Sequence, residues 1–176
     1  LEPQTRFEET VMAHLDAAYN LARWLARDER DAEDVVQEAC LRAYKFYPGF
    51  HGGNARAWLL AIVRNTYYTW LDKNRAQAAN VEFTDETVAA VDYDLATTGD
   101  SVERLLQAED TRRLVHRALA SIPAEFREVI VLRELEDLSY REIAEIADIP
   151  LGTVMSRLSR ARKLLLHALK KPDQES

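Results

Sequence analysis

The chain is poor in the residues that cross-link, ligate or insert. It holds one cysteine, Cys40, in 176 residues. A lone thiol excludes an internal disulfide, cannot be half of a zinc or redox pair within the chain, and fits a reducing compartment. No apolar run approaches the roughly 20 residues needed to cross a bilayer, and no secretory signal is visible. Membrane insertion is therefore not expected, and the cytoplasm is the expected location. The four histidines are scattered, and none has a glutamate three residues before it. HExxH, P-loop, GxGxxG and GxSxG patterns are all absent. No catalytic residue, metal centre or cofactor is expected. The plentiful carboxylates read as solvated helix faces or linker, so the chain is not expected to be an enzyme.

Net charge is −7, an unpromising sign for a nucleic-acid binder, but its distribution is uneven. Between Asn80 and Asp110 nine acidic residues face only Arg104, a net of −8 that leaves +1 for everything else. From Leu151 to Lys171 the chain carries Arg157, Arg160, Arg162, Lys163, Lys170 and Lys171 and no acid. Local patches, rather than the overall charge, therefore set what this chain attracts.

That basic run belongs to the most informative stretch, Ser139 to Lys171. Ser139 followed by Glu142 is a capping box, marking a helix start. Ile143, Ala144, Ile146 and Ala147 give that helix one apolar face. Asp148-Ile149-Pro150 ends it, because proline pushes the preceding residue out of the α region. In the longer helix that follows, Val154, Leu158, Ala161, Leu165 and Ala168 recur at three- and four-residue steps and predict a buried stripe. Met155, Ser156, Arg157, Ser159, Arg160, Arg162 and Lys163 lie on the other side. A short helix, a sharp turn and a second helix with a basic outer face predict a helix-turn-helix, whose second helix enters the major groove.

The stretch DLSYREIAEIADIPLGTVMSRLSRARKLL, Asp137 to Leu165, resembles the promoter −35-binding region of bacterial sigma factors, above all the small two-domain extracytoplasmic-function (ECF) kind. IPAEFREVIVLRELEDLSY, Ile122 to Tyr140, resembles the start of the same domain. The resemblance implies −35 contacts from Ser139, Tyr140, Arg141 and Thr153 as well as from Met155, Ser156, Arg157, Ser159, Arg160, Arg162 and Lys163.

Earlier in the chain, Phe7 to Ala26 reads as one helix, with Phe7, Val11, Leu15, Ala18, Ala22 and Leu25 in register and Tyr19 and Trp24 covering its edges. Asp28 to Arg30 reads as a charged turn, and Asp31 as the cap of the next helix. Ala32, Val35, Val36, Ala39, Cys40, Ala43, Tyr44 and Tyr47 form that helix's apolar stripe, with Cys40 as a small buried hydrophobe. Its exposed side carries Glu33, Asp34, Gln37, Glu38 and Arg42. The segment Asp34-Val-Val-Gln-Glu38 resembles the family's polymerase-binding segment. That implies docking of Asp34, Gln37 and Glu38 on a coiled coil of the largest subunit of the RNA polymerase core, where acid and amide can pair with basic residues.

Pro48 to Asn54 holds three of the chain's five glycines and reads as a loop with unusual backbone freedom. Ala55 to Asn74 reads as a third helix, with Trp58, Leu59, Ile62, Val63, Thr66, Trp70 and Leu71 inward and Arg56, Arg64, Asn65, Tyr68 and Lys73 toward other sides. Base, amide and ring interleaved suit a separated DNA strand. AWLLAIVRNTYYTWLDKNR, Ala57 to Arg75, resembles the family's −10 helix, with Asn65 on its characteristic asparagine. Tyr67 and Tyr68 depart from the commoner small residues there. The resemblance implies −10 contacts from Phe50, His51, Asn54, Arg56, Arg64, Asn65 and Tyr68, with the loop receiving a flipped base.

Residues 76–100 show no sustained period and read as an acidic flexible linker. Helical periodicity resumes through Val102, Leu105, Leu106, Leu114, Val115, Ala118, Leu119 and Ile122. Pro123 suits a first helical turn, and Phe126, Val129, Ile130 and Leu132 to Leu135 are expected in the core. The expectation is an all-α protein of two small helical domains, 5–75 and 101–171, joined by that linker. The resemblance implies a sigma factor that binds polymerase core and promoter DNA, is held by an anti-sigma factor, and is a monomer when free. The other readings are a stand-alone helix-turn-helix regulator and a sigma mimic that titrates an anti-sigma factor.

Overall fold

The structure, a computed structural model, describes residues 3–78 and 102–170. Regular structure among the described residues is entirely helical. The first unit comprises α1 (Pro3–Met12), α2 (Leu15–Leu25), α3 (Glu29–Phe46), a short 3₁₀ turn (Tyr47–Gly49) and α4 (Ala55–Ala78). The second comprises α5 (Val102–Ser121), α6 (Ala124–Ile130), a π-helical turn (Val131–Leu135), α7 (Tyr140–Ala147) and α8 (Leu151–Lys170). The expected linker lies outside the described residues except for 76–78, which continue α4.

In the first unit α2, α3 and α4 pack together around Ala18, Leu21, Leu25, Val35, Ala39, Leu59 and Val63. The single helix expected over Phe7 to Ala26 is two, because the chain turns at Ala13 and His14. The turn lays Phe7 edge-on against Tyr44 and Tyr47, with ring centroids 5.2 and 5.4 Å away, a favourable aromatic geometry. Periodicity alone carried no sign of it. The cap of α3 is Asp28, not Asp31: the Asp28 carboxylate accepts the Asp31 N–H at 2.8 Å. Asp31 is half-buried beside it, and burial, with the Asp28 charge adding, pushes its carboxyl up to about 6. Of the apolar stripe of α3, Ala32, Val35, Ala39 and Ala43 are buried, Cys40 is half-buried, and Tyr44 lies mostly in solvent.

The second unit is the expected helix-turn-helix with an added layer. Ser139 and Glu142 make the reciprocal capping bonds. Asp148 ends α7 in the left-handed region, φ +53, so the break combines an αL residue with the proline two positions on. Val154, Leu158 and Ala161 of α8 are buried against α5, α6 and α7. The expected core stretch Leu132 to Leu135 is buried only in part, since Glu134 is exposed and Leu135 is 42% exposed; Leu114, in the helical pattern of α5, is 40% exposed. The π-helical turn explains Leu135, because one extra residue per turn rotates it off the face that buries Val131 and Leu132.

The two units do not stand apart. Their buried residues form one continuous apolar cluster, and α4 packs on α7 as α2 does on α5, α6 and the π turn. This accounts for α4, where Leu60 and Tyr67 are buried as fully as the expected Leu59 and Val63. Arg127 ties the seam. Its guanidinium, 5% exposed with its side chain, donates to the carbonyls of Leu119 (2.7 Å) and Ile122 (2.9 Å) in its own unit. It also donates to the Leu25 carbonyl (2.7 Å) and the Tyr67 hydroxyl (3.2 Å) of the other.

Removing the Ser139 cap by Ser139→Ala is expected to cost about 1 kcal/mol. Leu158→Ala, in the centre of the helix-turn-helix core, is expected to cost about 2–5 kcal/mol. Urea denaturation of the full chain checks both; equal losses would mean that α8 is not anchored by this stripe.

Candidate nucleic-acid and polymerase interface

The −10 candidates gather along the start of α4 and the loop before it. Gly52 and Gly53 take φ +90 and +95, which L side chains rarely adopt, and bring the chain round to Asn54. The Asn54 side chain accepts the Ala57 N–H at 3.1 Å and so caps α4. Phe50 lies against Trp58, centroids 4.9 Å apart. Together with His51, Gly52 and Ala61 they line a cavity of about 360 Å³. Part of its wall comes from the second unit, Glu145 and Ile146 of α7.

Three carboxylates from the second unit meet this face. Glu128, fully buried, takes the Arg64 guanidinium on both oxygens, at 2.8 and 3.3 Å, and the Tyr68 hydroxyl as well. Arg64 lies over the Tyr68 ring, 4.3 Å from its centroid. Burial and the Glu128 charge push the Tyr68 phenol well above its ordinary value, which keeps it a donor. Glu136 accepts from Arg56 at its carboxylate (2.9 Å) and its carbonyl (2.8 Å); burial raises its carboxyl, with Arg56 acting the other way. Glu142 accepts from Asn54 at 2.8 Å with one oxygen while the other completes the capping box. Arg64 also donates to Asn65, which is exposed. Of the residues expected to meet a DNA strand, Asn54, Arg56, Arg64 and Tyr68 are thus occupied within the molecule.

The other candidates are open. Asp34, Gln37 and Glu38 are exposed on one face of α3, with Glu38 in an exposed pair with Arg42 at 3.3 Å. Nothing in the second unit covers them among the described contacts. On α8, Met155, Ser156, Ser159, Arg160 and Lys163 are exposed, and Arg157 and Thr153 are partly so. Arg162 is held by Glu134 at 2.9 Å, which raises its pKa. On α7, Arg141 is exposed, whereas Tyr140 is half-buried under the Arg133 guanidinium, 5.0 Å from its ring centroid.

Comparison with known proteins agrees with this layout. Residues 10–77 match the model for Sigma-70 region 2, and residues 112–165 match that for Sigma-70 region 4. An ECF RNA polymerase sigma-E factor of Haemophilus influenzae is 36% identical over 82% of this chain and 77% of its own length. The sigma-E factor of Escherichia coli is 39% identical over 77% and 72%. The chain belongs to the ECF sigma factors. Among solved structures, the sigma factor RpoE in complex with the anti-sigma factor NepR from Bartonella quintana superposes with a TM-score of 0.74 at 28% identity, covering 94% of this chain and 97% of that one. CnrH in complex with the cytosolic domain of CnrY gives 0.64 at 26% identity over 98% and 91%.

As an ECF sigma factor the protein initiates transcription with RNA polymerase and is not itself an enzyme. No helix among the described residues is long and apolar enough to cross a membrane. Sequence reasoning missed the residues that close this sigma factor on itself. Glu128 carried a readable signal, an acid directly before the apolar run Val129 to Leu132. Arg23, fully buried, and Arg127 carried none, because Arg23 meets His116 and Arg127 meets Leu25 and Tyr67 across the fold, far away in sequence.

Breaking a buried pair by removing one partner leaves the other charge uncompensated. Glu128→Gln is therefore expected to open the sigma factor, raising its radius of gyration in small-angle scattering. Glu38→Gln, on the uncovered face of α3, is expected to leave it unchanged. Equal radii for both variants would show that Glu128 does not hold the units together.

Proposed function

We propose that this ECF sigma factor is described in a closed state, and that it reaches the promoter by opening. The observation that carries this is the pairing of Glu128, Glu136 and Glu142 with Arg64, Tyr68, Arg56 and Asn54, the residues this reading assigns to the −10 strand. Carboxylates stand where phosphates and base edges would bind, so the closed state and −10 binding exclude one another. Asp34, Gln37 and Glu38 remain exposed and dock on the largest-subunit coiled coil of the polymerase core. Docking comes first, and the free energy of assembly opens the seam.

In the open state Asn65 and Phe50, with His51 at the mouth of the cavity, take an unstacked base of the −10 element; a cleft already lined by a ring and glycine backbone supports this. Region 4 reads the −35 element with α8. The complex of RpoE with an anti-sigma factor supports control of this chain by an anti-sigma factor that favours the closed arrangement. The site of action is the cytoplasm, where the polymerase is.

Asp34→Ala, Gln37→Ala and Glu38→Ala together are expected to abolish capture of core polymerase and promoter-specific transcription with the fold intact, since none of the three reaches the core. A triple variant with unchanged polymerase affinity in a pull-down and normal circular dichroism would refute the docking face.

On α8 a thioether cannot make the bidentate pair to guanine that a guanidinium makes. Arg160 is therefore expected to carry most direct guanine readout, about 1–3 kcal/mol of discrimination, and Met155 only apolar contact. Arg157 and Lys163 act on phosphates, so losing either weakens all sequences alike and lowers the salt slope by about one unit. Binding series on −35 variants at several salt concentrations check this. Loss of base preference in Met155→Ala rather than Arg160→Ala would reverse the roles.

A further inference from the structure

The closed seam has a second joint, away from the three carboxylates. Where α5 meets α2, His116 is 7% exposed. Its ring stacks on Trp24, centroids 5.3 Å apart and planes 27° from parallel. Its Nε2 lies 3.1 Å from an Nη1 of Arg23 and 3.1 Å from the Arg23 carbonyl oxygen. One ring nitrogen thus faces a permanent cation and an acceptor, both from the other unit.

The two protonation states do different things there. With its lone pair on Nε2, the neutral ring accepts from the Arg23 guanidinium and bridges region 4 to region 2. With a proton on Nε2, that bond is lost, the N–H turns to the Arg23 carbonyl, and an imidazolium faces a guanidinium 3.1 Å away. Charged and titratable groups from several elements lie near the ring, and among them the charges of Arg23 and Arg127 act on it. From α2 come Arg23 and, just past its end, Arg27, which feels the charge of Arg127. From α6 comes Arg127, whose charge acts on His116. From α4 comes Tyr67, which accepts from Arg127. On α5 itself Arg112, Arg113 and Arg117 surround position 116 in sequence, and Arg113 pairs with Glu109. Glu128 commits its carboxylate to Arg64 and Tyr68.

We propose that His116 is a proton-operated catch on the closed state, joining regions 2 and 4 while neutral and forcing them apart when protonated. The proposal rests on the closed state described above. Burial pushes the imidazole below its ordinary value; the bond to the Arg23 carbonyl opposes this, and the charges of Arg23 and Arg127 add to the lowering. Opening exposes the ring and restores the ordinary value, about 6.5. The neutral ring's contribution to closure is therefore fully present above that value and is lost as pH falls through the depressed one. Mild acidification releases the catch.

Glu136 acts in the opposite sense, since its carboxyl is raised in the closed state and closure there takes up a proton. The lowering of Glu142 comes first from its own capping bonds to Ser139, which opening leaves intact. Comparing wild type with His116→Gln removes both from the reading. Glutamine stays neutral and can still accept from Arg23.

The experiment is small-angle scattering of the full chain between pH 7.5 and 5.5, wild type against His116→Gln, with imidazole titration of wild type by NMR. The closed-to-open ratio of wild type is expected to fall by up to about tenfold for each unit of depression at His116, and that of His116→Gln much less. Two closed proteins with the same pH dependence would overturn the catch while leaving the closed state standing. Two proteins open at every pH would remove the closed state and the catch with it. If His116→Gln does not fold, the imidazole decides: a midpoint clearly below about 6.5 supports the catch, and one at or above it refutes it.

Discussion

A single buried guanidinium organises the seam between the two halves of this sigma factor. Arg127 cannot lose its charge, and once enclosed it must find acceptors for its donors or cost far more than it contributes. It finds them on both sides: helix-end carbonyls Leu119, Ala120 and Ile122 in region 4, and Leu25 O and Tyr67 OH in region 2. The carbonyls left open at the end of α5 are the natural partners of a cation. The region 2 partners then bring α2 and α4 close enough for the neighbouring residue, Glu128, to reach Arg64 and Tyr68. Two adjacent residues of opposite charge thus anchor the seam, one to backbone and one to side chains.

Under the proposed reading, the chemistry of the seam matches the chemistry of the strand it would displace. A surface built to hold a polyanionic strand is rich in donors, and a closed chain must give those donors partners. Glu128, Glu136 and Glu142 do so from three successive elements of region 4. The matching is graded by burial. Glu128 is fully enclosed, Glu136 is 8% exposed, and Glu142 sits at the exposed end. The Asn54–Glu142 bond is the exposed end of this series, next to the cavity under the glycine-rich loop. The acidic face of α3 and the basic face of α8 stay exposed while this surface is covered.

Much of the fold was readable because its signals are local. The capping box at Ser139 and Glu142, the stop at Asp148 to Pro150 and the stripe Val154, Leu158 and Ala161 depend on residues within two turns of one another. The structure reproduces all three. The misreadings share another cause. The turn at Ala13 and His14 exists because Phe7 meets Tyr44 and Tyr47 some forty residues on. Leu135 leaves the core because a π turn shifts its register. The cap at Asp28 instead of Asp31 is a choice between two residues with the same chemistry at neighbouring positions, which composition cannot decide.

The sequence alone determined the all-helical class, the helix-turn-helix, the acidic face of α3, the basic face of α8 and the family, because each rests on short-range periodicity or on contiguous motifs. Only the tertiary structure decided which of those faces are free. Arg23 and Arg127 read as surface in any helical wheel, yet both are buried. Arg56, Arg64 and Tyr68 read as a DNA face, yet each is held by a carboxylate. The reason is physical: a charged side chain belongs to the surface or the interior according to whether a partner of opposite charge or a set of acceptors faces it. Many of those partners come from the other half of the chain, where no periodicity reaches.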